Sequence, residues 1–344
     1  MRRRAIAYAL LSAALFGAST PLAKLLVGSI SPLALAGLLY LGSGIGLAAW
    51  LIVRRKIPAG LPRADWLWLA GAIATGGLLG PALLMYGLAR TEAATASLLL
   101  NLEAVFTASL AWLVFRENVD RRVLAGMAAI VAGGVVLSWE QMPQARGVAG
   151  PLLIAAACFA WALDNNLTRR ISGGDAVLLA ALKGVVAGGV NLGLALMLGA
   201  HAPAPGALLL AGIVGLLGYG VSLVLFIMAL RELGTARTSA YFSVAPFFGA
   251  ALALLVLGER GGPAFWAAAA LMGIGVWLHL AERHEHEHVH EPMTHSHEHV
   301  HDAHHRHAHE AGSDGHEPHT HAHEHARLRH RHPHYPDLHH RHGH

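Results

Sequence analysis

Ten apolar runs fill most of this chain, and each is long enough to cross a lipid bilayer. An apolar helix needs about 20 residues to span about 30 Å of hydrocarbon. Short segments with charges, glycine or proline separate the runs, which favours a compact bundle of helices. The predicted spans are residues 5–27, 32–53, 66–88, 93–115, 122–138, 149–168, 175–198, 206–230, 236–257 and 263–281. The sequence therefore predicts an all-α membrane protein with ten transmembrane helices.

Basic residues are distributed unequally between the two sets of loops. With the N-terminus in the cytoplasm, fourteen arginines and lysines fall on the cytoplasmic side and three on the opposite side. Cytoplasmic loops of membrane proteins carry an excess of such residues. Ten spans then return the C-terminus to the cytoplasm. We expect a multi-pass protein of the inner cell membrane, in contact with lipid, with both termini cytoplasmic.

The second half of the apolar region repeats the first. A shift of 142 residues places 85–117 over 227–259 with ten identities in 33 positions, Glu117 and Glu259 among them. Five spans precede the 141–147 connection and five follow it, so an odd number per repeat predicts two inverted halves. Inverted repeats are typical of secondary transporters, with a site near the bilayer midplane. The expected divisions are a first five-helix repeat at 1–140, a second at 147–281 and a tail at 282–344.

The tail differs in composition from the rest of the chain. It holds 24 of the 26 histidines and almost no large apolar side chains, so we expect it to be disordered without a ligand. Alternating imidazoles can bind Zn²⁺, Ni²⁺ or Co²⁺, whereas a drifting low-complexity tail is the plainer interpretation. No cofactor is required. The candidate metal ligands are His284, His286, His288, His290, His295, His297, His299, His301, His319, His321, His323 and His325.

Two charged residues lie deep within predicted spans. Glu103 is the only charge in 93–115, and Lys183 is the only cation in the middle of a second-half span. A charge at this depth costs about 2.5–3.5 kcal/mol on insertion scales, so it marks a functional site. Glu103 is either a proton or substrate site or a structural acid at a helix contact. A Glu103–Lys183 pair across the halves would form a gate.

Polar and aromatic residues complete the predicted pathway. Asp164 and Asn165 sit toward the cytoplasmic end of the sixth span, where at least one of three consecutive polar side chains should avoid lipid. Lys24 near the outer end of the first span either snorkels to the interface or lines the pathway. Tyr86, Trp161 and Tyr241 are candidates for an aromatic lining, although such rings are often interface anchors. Glu117 and Glu259, next to loops, are expected to cap helices or pair with arginines.

The 83–137 segment resembles the EamA-type half of the drug/metabolite transporter superfamily. It has the small-polar fourth span with a central Glu and a Gly-rich fifth span, although Ala104 stands where Pro is common. The second half keeps Pro246 and the Gly258-Glu259 pair but lacks the central Glu. The 15–24 segment is similar to the family's first span. The resemblance implies a transporter fold over about 5–281 and leaves the substrate open.

A secondary transporter of small organic metabolites, working by alternating access and acting as an exporter, is the function that we predict. The alternative is a divalent-metal exporter (Ni, Co or Zn) or a metal-regulated transporter that uses the tail. Against it, neither histidine outside the tail is predicted at the membrane midplane. An enzyme is not expected, because the spans contain no nucleophile–base pair or phosphate-binding loop. The expected partners are lipid and a small molecule, without nucleic acid, and the chain is expected to be a monomer or homodimer.

Overall fold

A computed structural model of the chain describes the greater part of its residues. The described residues are 2–54, 62–63, 65–115, 121–141, 148–171, 175–233, 238, 241–280, 285–290, 293–299, 319–325 and 328–333. They belong to two compact units, Met1–Glu282 and Arg283–His344. Each unit is described separately below.

The first unit is built from helices. Those before the 142–147 connection are α1 (Arg2–Leu26), α2 (Pro32–Val53), α3 (Asp65–Ala72), α4 (Gly80–Leu88), α5 (Ala93–Leu99), α6 (Leu102–Phe115) and α7 (Arg121–Gln141). Those after it are α8 (Ala149–Ile171), α9 (Ala176–Met197), α10 (Pro205–Gly215), α11 (Ser222–Leu233), α12 (Ala245–Val256) and α13 (Pro263–Leu280). Two π-helical segments, Ile73–Leu79 and Leu216–Val221, join α3 to α4 and α10 to α11.

The length and apolar composition of these helices fit a multi-pass membrane protein. Within the described residues, seven helices are long and apolar enough to cross a membrane, and two shorter apolar helices cover Ala245–Val256 and Pro263–Leu278. The seven coincide with the first to fifth, seventh and eighth predicted spans. The count of ten crossings and the inverted orientation of the halves stay predictions.

Local sequence signals explain several helix boundaries. Asp175 caps α9, because its side chain accepts hydrogen bonds from the backbone amides of Val177 and Leu178 at 2.9 and 3.2 Å. Pro32, Pro205 and Pro263 begin α2, α10 and α13, where a missing amide proton costs nothing. The turn between α1 and α2 contains Gly28 with a φ of 104°, a conformation that glycine adopts without steric cost.

The fourth predicted span is broken at its centre. α5 ends at Leu99 and α6 begins at Leu102, and the junction is held by i to i−3 bonds, such as Asn101 N–H to the Leu98 carbonyl at 3.1 Å. A corresponding turn at 243–244 precedes α12, 142 residues further along. The two π-helical segments are also about 142 residues apart. Discontinuous helices at membrane depth are tolerated where they contact protein or a cavity.

Glycines allow the helices of the two halves to approach closely. A Cβ added to Gly37 on α2 would lie 2.6 Å from the backbone nitrogen of Leu192 on α9. A Cβ added to Gly184 on α9 would lie 2.6 Å from the Cα of Gly44. The α7–α13 contact is similar, with Gly275 facing the Gly126 carbonyl. Small residues of this kind drive helix association where the solvent is lipid.

The main packed pairs follow the repeat. α2 packs on α9 and α7 packs on α13, and the two helices of each pair are counterparts under the 142-residue shift. α1 packs on α11 and α12, while α8, its counterpart, packs on α4 and α6. Exchanging each helix with its counterpart therefore leaves these pairs unchanged. This is the pairing that a two-fold relation between the halves predicts.

The second unit contains paired strands in the part that is described. β1 (Glu285–His290) pairs antiparallel with β4 (Leu328–Pro333), and β2 (Met293–His299) pairs antiparallel with β3 (His319–His325). The disorder that the sequence predicts for the tail in the absence of a ligand stays a prediction. Alternation of histidine with other residues has the period of two that a strand has, which explains why an extended pairing suits these segments. His284 and His301 lie outside the described residues.

Candidate functional site

An ion pair joins α8 and α9 inside the bundle. The Nζ atom of Lys183 lies 2.6 Å from Oδ1 and 2.5 Å from Oδ2 of Asp164, and the two side chains are only 16% and 9% exposed. Thr168, one turn further along α8, donates a hydrogen bond of 2.9 Å to the same carboxylate. Both charges therefore have direct partners, as partly buried charges require.

The π-helical segment Ile73–Leu79 supports this ion pair. Gly76 faces Asp164 so closely that a Cβ at this position would overlap the carboxylate. The Gly76 carbonyl accepts hydrogen bonds from the Tyr40 hydroxyl at 2.8 Å and from Trp161 Nε1 at 3.0 Å. Gly77 packs against the side chain of Lys183. The two glycines of this segment thus allow α2, α8 and α9 to approach it closely at the ion pair.

Glu103 lies in the first turn of α6, directly after the break in the fourth span. Its Oε1 accepts a hydrogen bond of 2.8 Å from Nδ2 of Asn165, a neutral group on an exposed side chain. Asp164 and Lys183 are close enough to act on Glu103 electrostatically, but they bind each other. Glu103 as a whole residue is half-buried.

Aromatic rings gather beside these polar groups. Phe16 contacts Trp161, Tyr219 and Phe242 with ring centroids 6.3, 5.9 and 5.4 Å apart, and Tyr40 lies 5.4 Å from Tyr219. Trp161 and Asn165 are four residues apart on α8 and so share a helix face. We call Phe16, Tyr40, Trp161, Tyr219 and Phe242 the aromatic cluster. Phe16 and Phe242 are half-buried, whereas the other three rings are buried.

The remaining predicted pathway residues have other surroundings. Lys24 on α1 donates hydrogen bonds to the carbonyls of Leu88 and Thr91 at 2.6 and 2.8 Å. Leu88 is the last residue of α4, and the C-terminus of a helix favours a positively charged group. Tyr86 is 37% exposed and lines a separate cavity of about 350 Å³ with Ser29, Ser31 and His201. Tyr241 is half-buried and precedes Phe242 of the aromatic cluster.

Glu259 ties the two halves together near Lys24. Its Oε1 and Oε2 atoms accept hydrogen bonds of 2.8 and 2.7 Å from the backbone amides of Ala93 and Ala94, the first residues of α5. A carboxylate at a helix N-terminus satisfies free amides and complements the helix dipole. The prediction that Glu259 caps a helix is confirmed, and Glu117 lies outside the described residues.

The ion pair corrects one expectation from the sequence. Glu103 was the candidate partner of Lys183 across the halves, and Lys183 binds Asp164 of its own half instead. The hairpin explains this outcome, because Asp164 lies seven residues before the end of α8 and Lys183 seven residues after the start of α9. Two antiparallel helices place such positions at the same level, so this signal was present in the sequence.

Other contributors escaped sequence analysis. Tyr40 and Gly76 lie in runs that look like ordinary apolar packing, and the π-helical geometry that exposes the Gly76 carbonyl has no simple sequence signal. For the tail, the structure describes the backbone of some histidines and no side-chain contacts. Among the described residues there is no group of three or more metal-ligating side chains. Metal binding by the tail stays a prediction.

Comparison with known proteins gives a consistent result. The profile of the EamA-like transporter family matches residues 3–139 and again 148–281. A protein of Methanothermobacter thermautotrophicus described as an uncharacterized transporter is 30% identical over 266 residues, which cover 71% of this chain and 76% of that protein. One solved crystal structure covers 79% of this chain and 95% of its own with a TM-score of 0.60 and 19% identity, a likeness of fold alone.

Two further relatives have more informative names. A probable amino-acid metabolite efflux pump of Salmonella typhimurium is 32% identical over 165 residues, covering 47% of this chain and 52% of that protein. A probable flippase subunit for 4-amino-4-deoxy-L-arabinose-phosphoundecaprenol from Pseudomonas fluorescens is 40% identical over 76 residues, covering 22% of this chain and 64% of that protein.

Proposed function

This chain belongs to the EamA-like transporter family, and we propose that it exports small organic metabolites by alternating access in exchange for protons. The half-buried carboxylate of Glu103 at the break of the fourth span is the observation that carries the proposal. A membrane-embedded acid with an exposed neutral partner can release a proton and then hold a positively charged group. The name of one relative, an efflux pump, favours the outward direction.

The fold offers a means for the pathway to open alternately to each side. The breaks at Leu99–Leu102 and at residues 243–244, together with the two π-helical segments, interrupt helices in both halves. Segments of this kind absorb changes of backbone angle while the flanking helices move as rigid bodies. At one end of the bundle, Glu259 and Lys24 hold the α4–α5 connection from either side. In this proposal their hydrogen bonds close that end and break when it opens.

The polar groups around Glu103 have separate roles in this scheme. The Lys183–Asp164 pair stays intact and fixes α9 against α8. Asn165 orients the Glu103 carboxylate through its hydrogen bond of 2.8 Å. Other titratable groups near Glu103 are Tyr40 and Cys158, and α7, which packs on α6, carries none between Val123 and Trp139. Glu103 is thus the group that exchanges the proton.

Replacing Glu103 with Gln tests the proposal. Metabolites that depend on the protein are first identified by comparing cells that lack it with cells that overproduce it. Their transport is then measured in proteoliposomes with and without an imposed proton gradient. We expect the gradient to accelerate transport by the unmodified protein and to have no effect on the Glu103→Gln variant.

Asp65→Asn is the matched control, because it makes the same chemical change in the first turn of α3, away from the break. It should keep the response to the gradient. A Glu103→Gln variant that folds and retains the full rate and pH profile would contradict the assigned role.

Divalent-metal export remains the second candidate, on the observation that 24 of 26 histidines lie in the tail. Deleting residues 284–344 discriminates between the two functions. A metabolite exporter should keep its transport rate within a factor of about two, because the tail lies beyond the helical unit. Loss of Ni²⁺, Co²⁺ or Zn²⁺ resistance in cells carrying the truncated protein, with no metabolite effect, would favour metal export instead.

A further inference from the structure

The strands of the tail place histidine opposite histidine. In the β1–β4 sheet and the β2–β3 sheet, five cross-strand positions carry histidine on both strands. These pairs are His286 with His332, His288 with His330, His295 with His323, His297 with His321 and His299 with His319. We call the five pairs the histidine ladder. The remaining histidines of these strands, His290 and His325, are opposite Leu328 and Met293.

The histidine ladder depends on the register of the strands. Side chains alternate between the two faces of a strand, so residues two positions apart share a face. All twelve histidines of the four strands therefore fall on one face of their sheet, and the other face of the β1–β4 sheet carries Glu287 opposite Arg331. A slip by one residue would place His288 opposite Arg329 or Arg331 and would leave no histidine pair in either sheet.

Apolar burial contributes little to the pairing of these strands. A two-stranded sheet is marginally stable in water at best. The large apolar side chains of the four strands are Val289, Met293 and Leu328, and most other positions are polar or charged. A ligand that binds two opposite imidazoles would supply the missing stabilisation. Ligand binding and strand pairing would then occur together, as in other small metal-binding folds.

The spacing of the ladder suits a transition-metal ion. Opposite residues of antiparallel strands have Cβ atoms about 4.5–5.5 Å apart, and the next pair on the same face lies about 7 Å along the strand. Imidazole nitrogen binds Zn²⁺ at about 2.0–2.1 Å, and structural Zn²⁺ sites usually have four ligands. Two successive pairs of the ladder supply four imidazoles. Imidazole also suits Ni²⁺ and Co²⁺, whereas Mg²⁺ and Ca²⁺ prefer oxygen ligands.

We propose that the histidine ladder is a binding site for Zn²⁺, Ni²⁺ or Co²⁺, in which successive cross-strand pairs supply the ligands and the bound ions hold the strands in register. Each sheet binds at least one ion. Such a site operates in the tail alone, whether or not the helical unit exports metabolites. A histidine contributes according to the residue opposite it, so His330 and His332 are ligands, whereas His290 and His325 contribute little.

Two double variants that remove the same number of histidines test this site. His330→Ala with His332→Ala removes both histidine pairs of the β1–β4 sheet, whereas His290→Ala with His325→Ala removes no pair. The full-length protein in nanodiscs is stripped of metal with a chelator, and Zn²⁺ is then titrated in competition with a chromophoric chelator. We expect at least two tightly bound ions in the unmodified protein, one fewer in the first variant and the same number in the second. An excess of Mg²⁺ should not displace Zn²⁺.

Equal losses in the two double variants would overturn the site, because they would show that the histidines are interchangeable. Loss of no ion from the first variant, or the absence of tight Zn²⁺ binding, would also overturn it. Neither result depends on transport, so failure of metabolite export in proteoliposomes would leave the outcome unaffected.

The pairing of the strands is tested by a distance. Ser296 and Ala322 are opposite each other on the face without histidine. Spin labels on Ser296→Cys and Ala322→Cys, with Cys158→Ala to remove the native thiol, report their separation by electron paramagnetic resonance. We expect strong dipolar broadening with Zn²⁺ and its loss after addition of a chelator, with no broadening from Ser296→Cys labelled alone. Labels that are equally close with and without Zn²⁺, or that never approach, would contradict the role of the metal in holding the register.

Discussion

At the scale of single residues, the site depends on which charge has a partner. Lys183 and Asp164 are each costly inside a membrane, and each offsets the cost of the other. Glu103 has only a neutral hydrogen-bond donor. If Lys183 were bound to Glu103 instead, Asp164 would be the acid without an ionic partner, and the candidate site would be centred on Asp164.

The ion pair should reveal itself in a double-mutant cycle. Lys183→Met leaves a buried carboxylate and Asp164→Asn leaves a buried ammonium, so each single variant should lose about 3 kcal/mol of unfolding free energy. The double variant should lose clearly less than the sum of the two single losses, because it removes both charges. Unfolding by sodium dodecyl sulfate, followed by circular dichroism, measures these differences. Strictly additive losses would show that the two side chains do not form a pair.

At the scale of helices, glycines and side chains from neighbouring helices accommodate the breaks. The π-helical segment Ile73–Leu79 presents the Gly76 carbonyl to Tyr40 and Trp161 and leaves room for Asp164. At one end of the bundle, Glu259 caps α5 while Lys24 binds the end of α4. Interruptions in helices are thus held by specific side chains from other helices.

Replacing Gly76 with Ala should disturb the ion pair, although Gly76 lies in a different helical segment from Asp164 and Lys183. The added methyl group would overlap the Asp164 carboxylate, so we expect a loss of about 1–3 kcal/mol in unfolding free energy and slower transport. Gly189→Ala on α9 is the matched control, because nothing lies within 4 Å of the added Cβ. That variant should be neutral or slightly stabilised, since alanine favours helices. Equal stability of the two variants in the same denaturation assay would contradict the close contact.

The limits of sequence analysis are visible at this scale. Membrane helices and the internal repeat were predictable, because bilayer thickness fixes span length and the 142-residue shift aligns Glu117 with Glu259. Glu103 is a candidate site in the sequence because a lone charge in an apolar span is costly, and its role stays a prediction. To identify Asp164 as the partner of Lys183, one must recognise that these two residues lie at the same height in the α8–α9 hairpin. The π-helical segments depend on contacts between helices, so a local sequence pattern does not predict them.

At the scale of the whole molecule, the packed pairs keep their identity when the two halves are exchanged. α2–α9 and α7–α13 are pairs of counterparts, and α1 and α8 make equivalent contacts with their neighbours. In the proposed transport cycle, the two halves would exchange their conformations between two states of similar energy. The polar groups break this equivalence, because Ala245 corresponds to Glu103 and only the first half supplies the acid. A symmetric frame with a single charged site is suited to present that site alternately to two sides.

The inverted orientation that the sequence predicts for the two halves can be tested at equivalent loops. Arg54 follows the second span and Gly199 follows its counterpart in the second half, so the two loops should lie on opposite sides of the membrane. The positive-inside rule places the first in the cytoplasm. Alkaline phosphatase fused after Arg54 should be inactive and the same enzyme fused after Gly199 active, because it folds only outside the cytoplasm. Green fluorescent protein fused after His344 should fluoresce, since ten spans return the chain to the cytoplasm. If the fusions after Arg54 and Gly199 had the same activity, the equivalent loops would lie on one side of the membrane and the two halves would be parallel. Parallel halves could not expose Glu103 alternately to the two sides in the way proposed.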